Sequence, residues 1–133
     1  MSSEPSDPIA STAGDEAGVL IVDDQRPFRM VARTVVGVTG GFTVVGEAES
    51  GEEAVDMARE LRPGIVLMDI NLGEMNGIEA TRRIVADAPE TVVVLMSTYN
   101  ASDLPAGAAD CGAVRYVHKE DFGPSVLRDV WPG

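Results

Sequence analysis

The sequence predicts an α/β fold with five parallel strands in one sheet and helices on both of its faces. Short apolar runs, typical of strands buried on both faces, alternate along the chain with amphipathic segments. The clearest strand lies within residues 65–72, where four apolar residues lead directly into Asp69 between turn signals at 62–64 and Gly73. Strict alternation of strands and helices is typical of a parallel sheet with right-handed crossovers.

The beginning of the chain does not follow this pattern. Residues 1–17 are mainly Ser, Pro, Gly, Ala and acidic residues, a composition that does not support a packed core. We therefore predict a disordered acidic tail over residues 1–17 and a single folded domain over residues 18–133. The domain then carries 18 acidic and 10 basic residues, a charge of −8.

The first half of the domain contains two predicted strands and two predicted helices. Residues 19–22 form the first strand, and Pro27 opens a helix whose apolar side chains recur with the spacing i, i+3, i+4, i+7. The second strand is predicted over residues 42–47. A capping box at residues 50–53 begins the second helix, and Pro63 ends it.

The second half repeats the alternation after the strand that ends at Asp69. Asn76 begins a helix, and residues 91–96 form the fourth strand. A helix is predicted over residues 101–111. We expect it to be weak, because proline and glycine within it lower helix stability. The fifth strand is predicted over residues 114–118, and Pro124 opens the last helix.

Composition restricts the classes of function. The chain has 133 residues and a net charge of −12 without a basic patch, which argues against direct binding to nucleic acid. The longest apolar run, residues 92–96, is too short to span a bilayer, and no secretory signal begins the chain. The single cysteine, Cys111, has no partner for an internal disulfide. We expect a cytoplasmic protein that contacts no membrane.

Polar side chains follow four of the five predicted strands at the point where each strand ends. They are Asp23 and Asp24, then Asp69, then Ser97 and Thr98, and finally Lys119. Because the carboxyl ends of parallel strands meet at one edge of a sheet, we expect these groups to converge on one crevice. Ligands that are all oxygen favour Mg²⁺ or Ca²⁺, and a lysine beside them can hold a phosphate oxygen. This set suits phosphoryl transfer with Asp69, the most central carboxylate, as nucleophile.

With these residues the chain resembles the receiver domain of two-component response regulators. The matching motifs are Val-Asp-Asp at 22–24, Leu-Met-Asp-Ile-Asn at 67–71, Met-Asn-Gly at 75–77, Val-Leu-Met-Ser-Thr at 94–98 and Tyr-Val-His-Lys at 116–119. The resemblance covers about residues 18–131 and identifies residues 18–133 as the receiver domain. It implies a flavodoxin-like, doubly wound (βα)5 fold with the strand order 2-1-3-4-5.

The resemblance also implies a role for each residue of the site. Asp69 is similar to the phosphoacceptor that takes a phosphoryl group from a sensor histidine kinase. Mg²⁺ is the implied cofactor, with Asp24 as direct ligand, Asp23 as a ligand through water, and Asp69 and the backbone carbonyl of Asn71 completing the set. Ser97 resembles the switch hydroxyl, Lys119 the cationic clamp on the phosphoryl group, Tyr116 the aromatic that follows the hydroxyl, and Thr98 the residue that sets water access.

Two positions depart from the family pattern. Gly73 stands four residues after the phosphoacceptor, where the family often has proline, so a looser loop is expected. Glu120 stands after Lys119, again in place of proline, so the cis peptide bond usual there is either absent or formed without proline. The weak helix at 101–111 belongs to the family's partner-binding face, formed with the fifth strand and the last helix.

The resemblance implies a phosphorylation-dependent switch that is a phosphoacceptor assisting its own phosphorylation and dephosphorylation, and not an enzyme. We expect a stand-alone receiver that changes its affinity for an unknown downstream protein, and a homodimer is expected on phosphorylation. The alternatives are a phosphorelay intermediate and the receiver half of a truncated DNA-binding regulator. An acyl-phosphate hydrolase and a binding module that works without phosphorylation are further hypotheses.

Overall fold

Parallel strands form a single sheet in the centre of the protein. The computed structural model describes residues 16–73, 75–98 and 104–132. The strands are β1 (Ala17–Val22), β2 (Phe42–Ala48), β3 (Ile65–Asp69), β4 (Val92–Ser97) and β5 (Arg115–His118). They pair in the order β2-β1-β3-β4-β5, and every pair is parallel. The predicted fold class and strand order are confirmed.

Helices cover both faces of this sheet. Among the described residues they are α1 (Arg26–Val38), α2 (Gly51–Leu61), α3 (Gly77–Asp87) and α4 (Pro124–Val130). Successive residues of a strand point to opposite faces. Leu20 and Val22 therefore pack with α2 and α3, while Val19 and Ile21 pack with α1 and α4. Every residue of β3 is buried, as the continuous apolar run predicts.

Two helices begin at the caps that the sequence indicates. The Ser50 hydroxyl accepts a hydrogen bond from the Glu53 backbone N–H at 3.1 Å. The Glu53 carboxylate in turn accepts one from the backbone N–H of Glu49 at 2.7 Å. The side chain of Asn76 caps α3 in the same way, by accepting the Glu79 N–H at 3.0 Å. These caps satisfy N–H groups that have no partner inside the helix.

The helix predicted over residues 101–111 is wrong for the residues that the structure describes. Residues 104–111 form turns and bends, and residues 101–103 lie outside the described part of the chain. Gly107 has a φ of +90° and Gly112 a φ of +105°, values that interrupt a right-handed helix. Ala108 and Cys111 are nevertheless buried, so this loop covers the sheet as a helix would.

The predicted tail lies mostly outside the described residues. Residues 1–15 are not described, and β1 begins at Ala17, whose N–H donates to the carbonyl of Gly41 at 2.8 Å. The disorder of the tail stays a prediction. None of the described helices is both long enough and apolar enough to cross a bilayer.

Close packing at Gly77 holds α3 against the end of β3. A Cβ atom at this position would overlap the carbonyl oxygen of Asp69 and would lie 2.9 Å from Cγ of Met68. The Gly77 N–H donates to the carbonyl of Ile70 at 2.9 Å, so the backbone has little freedom to withdraw. A larger residue would therefore displace α3 or the strand end that carries Asp69.

We expect Gly77→Ala to lower the free energy of unfolding by about 1–3 kcal/mol, the usual cost of overpacking. Gly37→Ala is the matched control, because Gly37 is also helical and a Cβ atom added to it would meet no atom within 4 Å among its described surroundings. That control should gain up to about 1 kcal/mol from helix propensity. Urea unfolding measures both. Equal effects of the two substitutions would contradict the close packing at Gly77.

Candidate functional site

The carboxyl ends of the strands surround a small polar pocket. Its volume is about 140 Å³, and it is lined by Asp24, Gln25, Asp69, Asn71, Thr98 and Lys119. The parallel register produces this convergence, since Asp69 pairs with Met96 on β4 and Ser97 pairs with His118 on β5. Of the strand-end residues that the sequence places at one edge, the structure brings Asp24, Asp69, Thr98 and Lys119 into this pocket.

Three carboxylates lie beside one another in this pocket. Asp23, Asp24 and Asp69 each offer an oxygen within 4.8 Å of the other two. Asp23 and Asp69 are buried, whereas Asp24 is exposed. Oδ1 of Asp23 accepts the Gln25 backbone N–H at 2.8 Å, and Oδ2 lies 2.6 Å from Nζ of Lys119. Both oxygens of Asp23 therefore have close neighbours already, whereas the Asp24 carboxylate is open to solvent.

The surroundings of Asp69 alter the ionisation of its carboxyl group. Only 3% of its surface is exposed, and the pKa of its carboxyl group is raised from 3.8 to about 6. Burial is the largest cause and the charge of Asp23 the second, because both disfavour the carboxylate form. The ammonium of Lys119 and the N–H of Asn71, 3.3 Å from Oδ1, partly offset these effects.

Lys119 is the one cation that reaches the centre of the cluster among the described side chains. Its Nζ lies 2.6 Å from Oδ2 of Asp23 and 3.6 Å from Oδ2 of Asp69. The same ammonium lies 4.7 Å from the centre of the Phe28 ring, a cation–π contact. Phe28 in turn packs against Phe122 with 6.3 Å between the ring centres. This aromatic support was not predicted, because the helical spacing indicates only that Phe28 faces the core.

Arg29 is a second residue that the sequence reasoning missed. Its Nη1 donates to the backbone carbonyl of Asp23 at 2.8 Å, and its Nε pairs with Oε1 of Glu47 at 3.2 Å. Glu47 also accepts a hydrogen bond from Nε of Arg33 at 2.6 Å. These contacts tie the end of β1, where Asp23 begins the site, to α1 and β2. Only the tertiary structure reveals them, since Arg29 and Glu47 are 18 residues apart.

The two predicted switch residues touch each other. The hydroxyl groups of Ser97 and Tyr116 are 2.8 Å apart and form a hydrogen bond in which either oxygen can donate. Ser97 is fully buried, and Tyr116 is half-buried against the apolar cluster between the sheet and α2 and α3. A displacement of the Ser97 hydroxyl would therefore change the hydrogen bonding of the Tyr116 hydroxyl directly.

The departures from the family pattern have definite conformations. Gly73 adopts a φ of +78°, which glycine tolerates far better than other residues. The peptide bond between Lys119 and Glu120 is trans. Residues 119–121 form a single turn of 3₁₀ helix directly after β5, so Lys119 leaves the strand on a short, ordered turn.

A comparison with known protein families decides the classification of the chain. A family model described as the response regulator receiver domain matches residues 19–130. The chain belongs to the response regulator receiver family. Receiver domains bind Mg²⁺ in an acidic pocket, and the cluster of three aspartates in this receiver domain has the donor set for such a site.

Individual relatives agree with this assignment. The receiver domain is 38% identical over 107 residues to the chemotaxis protein CheY of Thermotoga maritima, covering 80% of this chain and 88% of CheY. It is 37% identical over 112 residues to the transcriptional regulatory protein YdfI of Bacillus subtilis, covering 84% of this chain but only 52% of YdfI. The chain thus spans about half the length of several regulators that it matches.

Solved structures show the same architecture. The response regulator domain of CheB from Thermotoga maritima superposes with a TM-score of 0.75 at 31% identity, covering 86% of this chain and 93% of that one. A LuxR-family two-component response regulator from Aurantimonas sp. SI85-9A1 gives a TM-score of 0.76 at 32% identity, covering 86% and 81%. The receiver fold therefore extends over nearly all of the described residues.

The raised pKa of Asp69 makes the stability of the receiver domain depend on pH. Below about pH 4 the group is protonated whether the chain is folded or unfolded, so it has no effect. As the pH rises from 4 to above 6, the unfolded chain releases this proton more readily, and folding loses up to about 3 kcal/mol. Asp69→Asn removes this penalty.

We therefore expect Asp69→Asn to raise the free energy of unfolding by about 1–3 kcal/mol at pH 8 and to have little effect near pH 4. Urea unfolding with a metal chelator present measures both values. Asp56→Asn, an exposed carboxylate on α2, serves as the control and should change little at either pH. A gain that is larger at pH 4 than at pH 8 would contradict the raised pKa.

Proposed function

We propose that this chain is a phosphorylation-dependent switch whose Asp69 accepts a phosphoryl group from a phosphohistidine of a sensor histidine kinase. The observation that carries the proposal is the position of Asp69, buried at the centre of the strand-end pocket with Lys119 3.6 Å away. The similar proteins include a two-component response regulator and a chemotaxis protein, which supports a histidine kinase as the source of the phosphoryl group.

The size of the pocket supports a small group as the species transferred. A volume of about 140 Å³ is well below the roughly 300–1,000 Å³ of pockets that enclose drug-sized ligands. A carboxylate oxygen of Asp69 attacks phosphorus, the bond between phosphorus and the donor imidazole nitrogen breaks, and that nitrogen keeps the electron pair. With a pKa of about 6, Asp69 is mostly ionised at pH 7 and ready to attack.

Lys119 has a defined part in this step. In the described structure its ammonium compensates Asp23 and Asp69 together. When the Asp69 carboxylate becomes an acyl phosphate, the negative charge moves outward onto three phosphoryl oxygens, and Lys119 is placed to pair with one of them. Charge stabilisation of this kind is the main contribution that proteins make to phosphoryl transfer.

The arrangement of the carboxylates supports a particular division of roles around Mg²⁺. Asp24 is exposed at the pocket and is proposed as the direct ligand. Asp23 already contacts Gln25 and Lys119, which suits a contact through water. Asp69 and the backbone carbonyl of Asn71 complete the proposed set. When bound, the cation would neutralise charge on the transferring phosphoryl group.

Ser97, Tyr116 and Thr98 are proposed to transmit and time the signal. Ser97 moves its hydroxyl toward the phosphoryl group, and Tyr116 follows because the two hydroxyl groups are bonded at 2.8 Å. Thr98 lines the pocket and sets access of water to the phosphoryl group. The face that changes its partner affinity comprises the segment predicted as a helix over residues 101–111, together with β5 and α4. The described part of that segment, residues 104–111, is a loop.

A second candidate function is the receiver part of a longer DNA-binding regulator. It is favoured by YdfI, a transcriptional regulatory protein of which this chain covers only 52%. A phosphorelay intermediate uses the same chemistry at Asp69 and differs only in passing the group onward. Under each of these functions the domain is a phosphoacceptor that assists its own phosphorylation and dephosphorylation, and acts on another protein through its surface.

Incubation with a small acyl-phosphate donor and Mg²⁺ tests the phosphoacceptor. Intact mass should show one added phosphoryl group on the wild-type chain and none on Asp69→Asn. Asp56→Asn controls for loss of an unrelated carboxylate and should be labelled like the wild type. Labelling that persists in Asp69→Asn would contradict the assignment of the phosphoacceptor.

Two other outcomes favour the rival hypotheses. No labelling of a correctly folded wild type would favour a binding module that works without phosphorylation. Many rapid turnovers of the donor by the wild-type chain would favour an acyl-phosphate hydrolase instead of a switch.

Removal of the exposed carboxylate tests the proposed metal ligands. We expect Mg²⁺ to raise the Tm of the wild type, because a ligand that binds only the folded state stabilises it. Asp24→Asn should lose most of this rise, and Asp56→Asn should keep it. A full Mg²⁺-dependent rise in Asp24→Asn would show that the cation is held elsewhere.

A further inference from the structure

Resting on the proposed function, we propose that His118 is a positioning residue that holds two sides of the Asp69 pocket together, limits the entry of water between them and so lengthens the life of the aspartyl phosphate. Its ring acts through the backbone and not through the carboxylate cluster. It bridges the two chain segments that carry Thr98 and Lys119, both of which line the pocket.

The hydrogen bonds of the ring define its protonation state. The backbone N–H of Glu120 donates to Nδ1 of His118 at 3.2 Å, so Nδ1 carries no proton. Nε2 must then carry the proton of the neutral ring, and it donates to the backbone carbonyl of Thr98 at 3.0 Å. Both nitrogens are thus used, one as acceptor and one as donor.

The bridge lies where the sheet itself stops holding the two segments together. The β4–β5 ladder ends with the pair Ser97 and His118. One residue further along, the backbone of Thr98 is held to the end of β5 through the His118 ring. The other ring nitrogen caps the 3₁₀ turn that begins with Lys119. One side chain therefore fixes the two sides of the pocket that Thr98 and Lys119 form.

The bond to Glu120 depends on a departure from the family pattern. A proline at position 120 would have no N–H to donate to the ring. With Glu120 and a trans peptide bond, that N–H is present and is bonded to Nδ1. This chain therefore fixes the Lys119 segment through a histidine–amide contact at the place where the family often has a proline.

The step that the bridge controls is hydrolysis. The oxygen of a water molecule attacks phosphorus, the bond between phosphorus and the Asp69 oxygen breaks, and inorganic phosphate leaves while the carboxylate is restored. Because Thr98 and Lys119 both line the pocket, separation of their segments widens it and makes attack by water faster.

Three substitutions separate the two hydrogen bonds. His118→Asn keeps a short acceptor for the Glu120 N–H but is too short to reach Thr98. His118→Gln places an amide N–H near the position of Nε2 and so can keep the bond to Thr98. His118→Leu keeps neither. The chain has a single histidine, so each substitution leaves no other imidazole.

The measurement is the first-order loss of the phosphoryl group after the donor is removed, followed by intact mass at constant Mg²⁺. We expect His118→Asn and His118→Leu to lose it several-fold faster, up to about tenfold, the effect of one hydrogen bond. His118→Gln should stay within about twofold of the wild type. Urea unfolding of each variant shows whether stability follows the same order.

Several results would overturn the inference. Equal lifetimes in all four proteins would leave the phosphoacceptor intact but remove the role of His118. Rates that follow stability, with His118→Gln as fast as His118→Leu, would show a merely structural residue. Nitrogen NMR of the unphosphorylated protein should show a protonated Nε2 and an unprotonated Nδ1, and the opposite tautomer would also refute it. A wild type that takes no phosphoryl group would remove both this inference and the proposed function.

Discussion

Three carboxylates, two of them buried, share one edge of the sheet with a single ammonium, and this balance of charge governs the site. Lys119 lies 2.6 Å from Asp23 and 3.6 Å from Asp69, so it compensates both at once. The compensation is incomplete, because the pKa of Asp69 is still raised to about 6. The site thus holds excess negative charge in a place where burial makes charge costly. A divalent cation is the species that would relieve it.

The surrounding packing explains how the Lys119 ammonium is held next to both buried carboxylates. Its ammonium lies over the ring of Phe28, which itself contacts Phe122, the residue that follows the 3₁₀ turn after β5. The Arg29 guanidinium holds the main chain at Asp23 from the other side. Both aromatic rings and Arg29 lie outside the pocket lining, yet they fix the positions of the cation and of the carboxylate that it contacts. The balance of charge is therefore a property of the packed domain and not of the pocket alone.

The sequence predicted the sheet and the pocket because both depend on local patterns. Apolar runs identify the strands, and parallel order then places the residues that follow them, such as Asp69 and Lys119, at one edge. Contacts between distant segments carry no such pattern, so Arg29 and His118 were not assigned to the site. The described residues of the helix predicted over 101–111 do not form a helix, and the sequence shows part of the physical reason. Gly107 was noted as unfavourable, but its left-handed φ and the burial of Ala108 within a loop require the tertiary structure.

The contact between Ser97 and Tyr116 links this charge balance to the surface of the domain. Ser97 ends β4 one residue beyond the partner of Asp69, and its hydroxyl is bonded to Tyr116 at 2.8 Å. Tyr116 lies on β5, within the face proposed to bind a partner. If the Ser97 hydroxyl is the donor in this bond, a phosphoryl group that attracts it would have to break or redirect the bond, because a hydroxyl donates only one proton. Tyr116 is half-buried, so a displacement of the Ser97 hydroxyl would change the contacts of its side chain. This hydrogen bond is the route that we propose from a chemical change at Asp69 to the surface of the receiver domain.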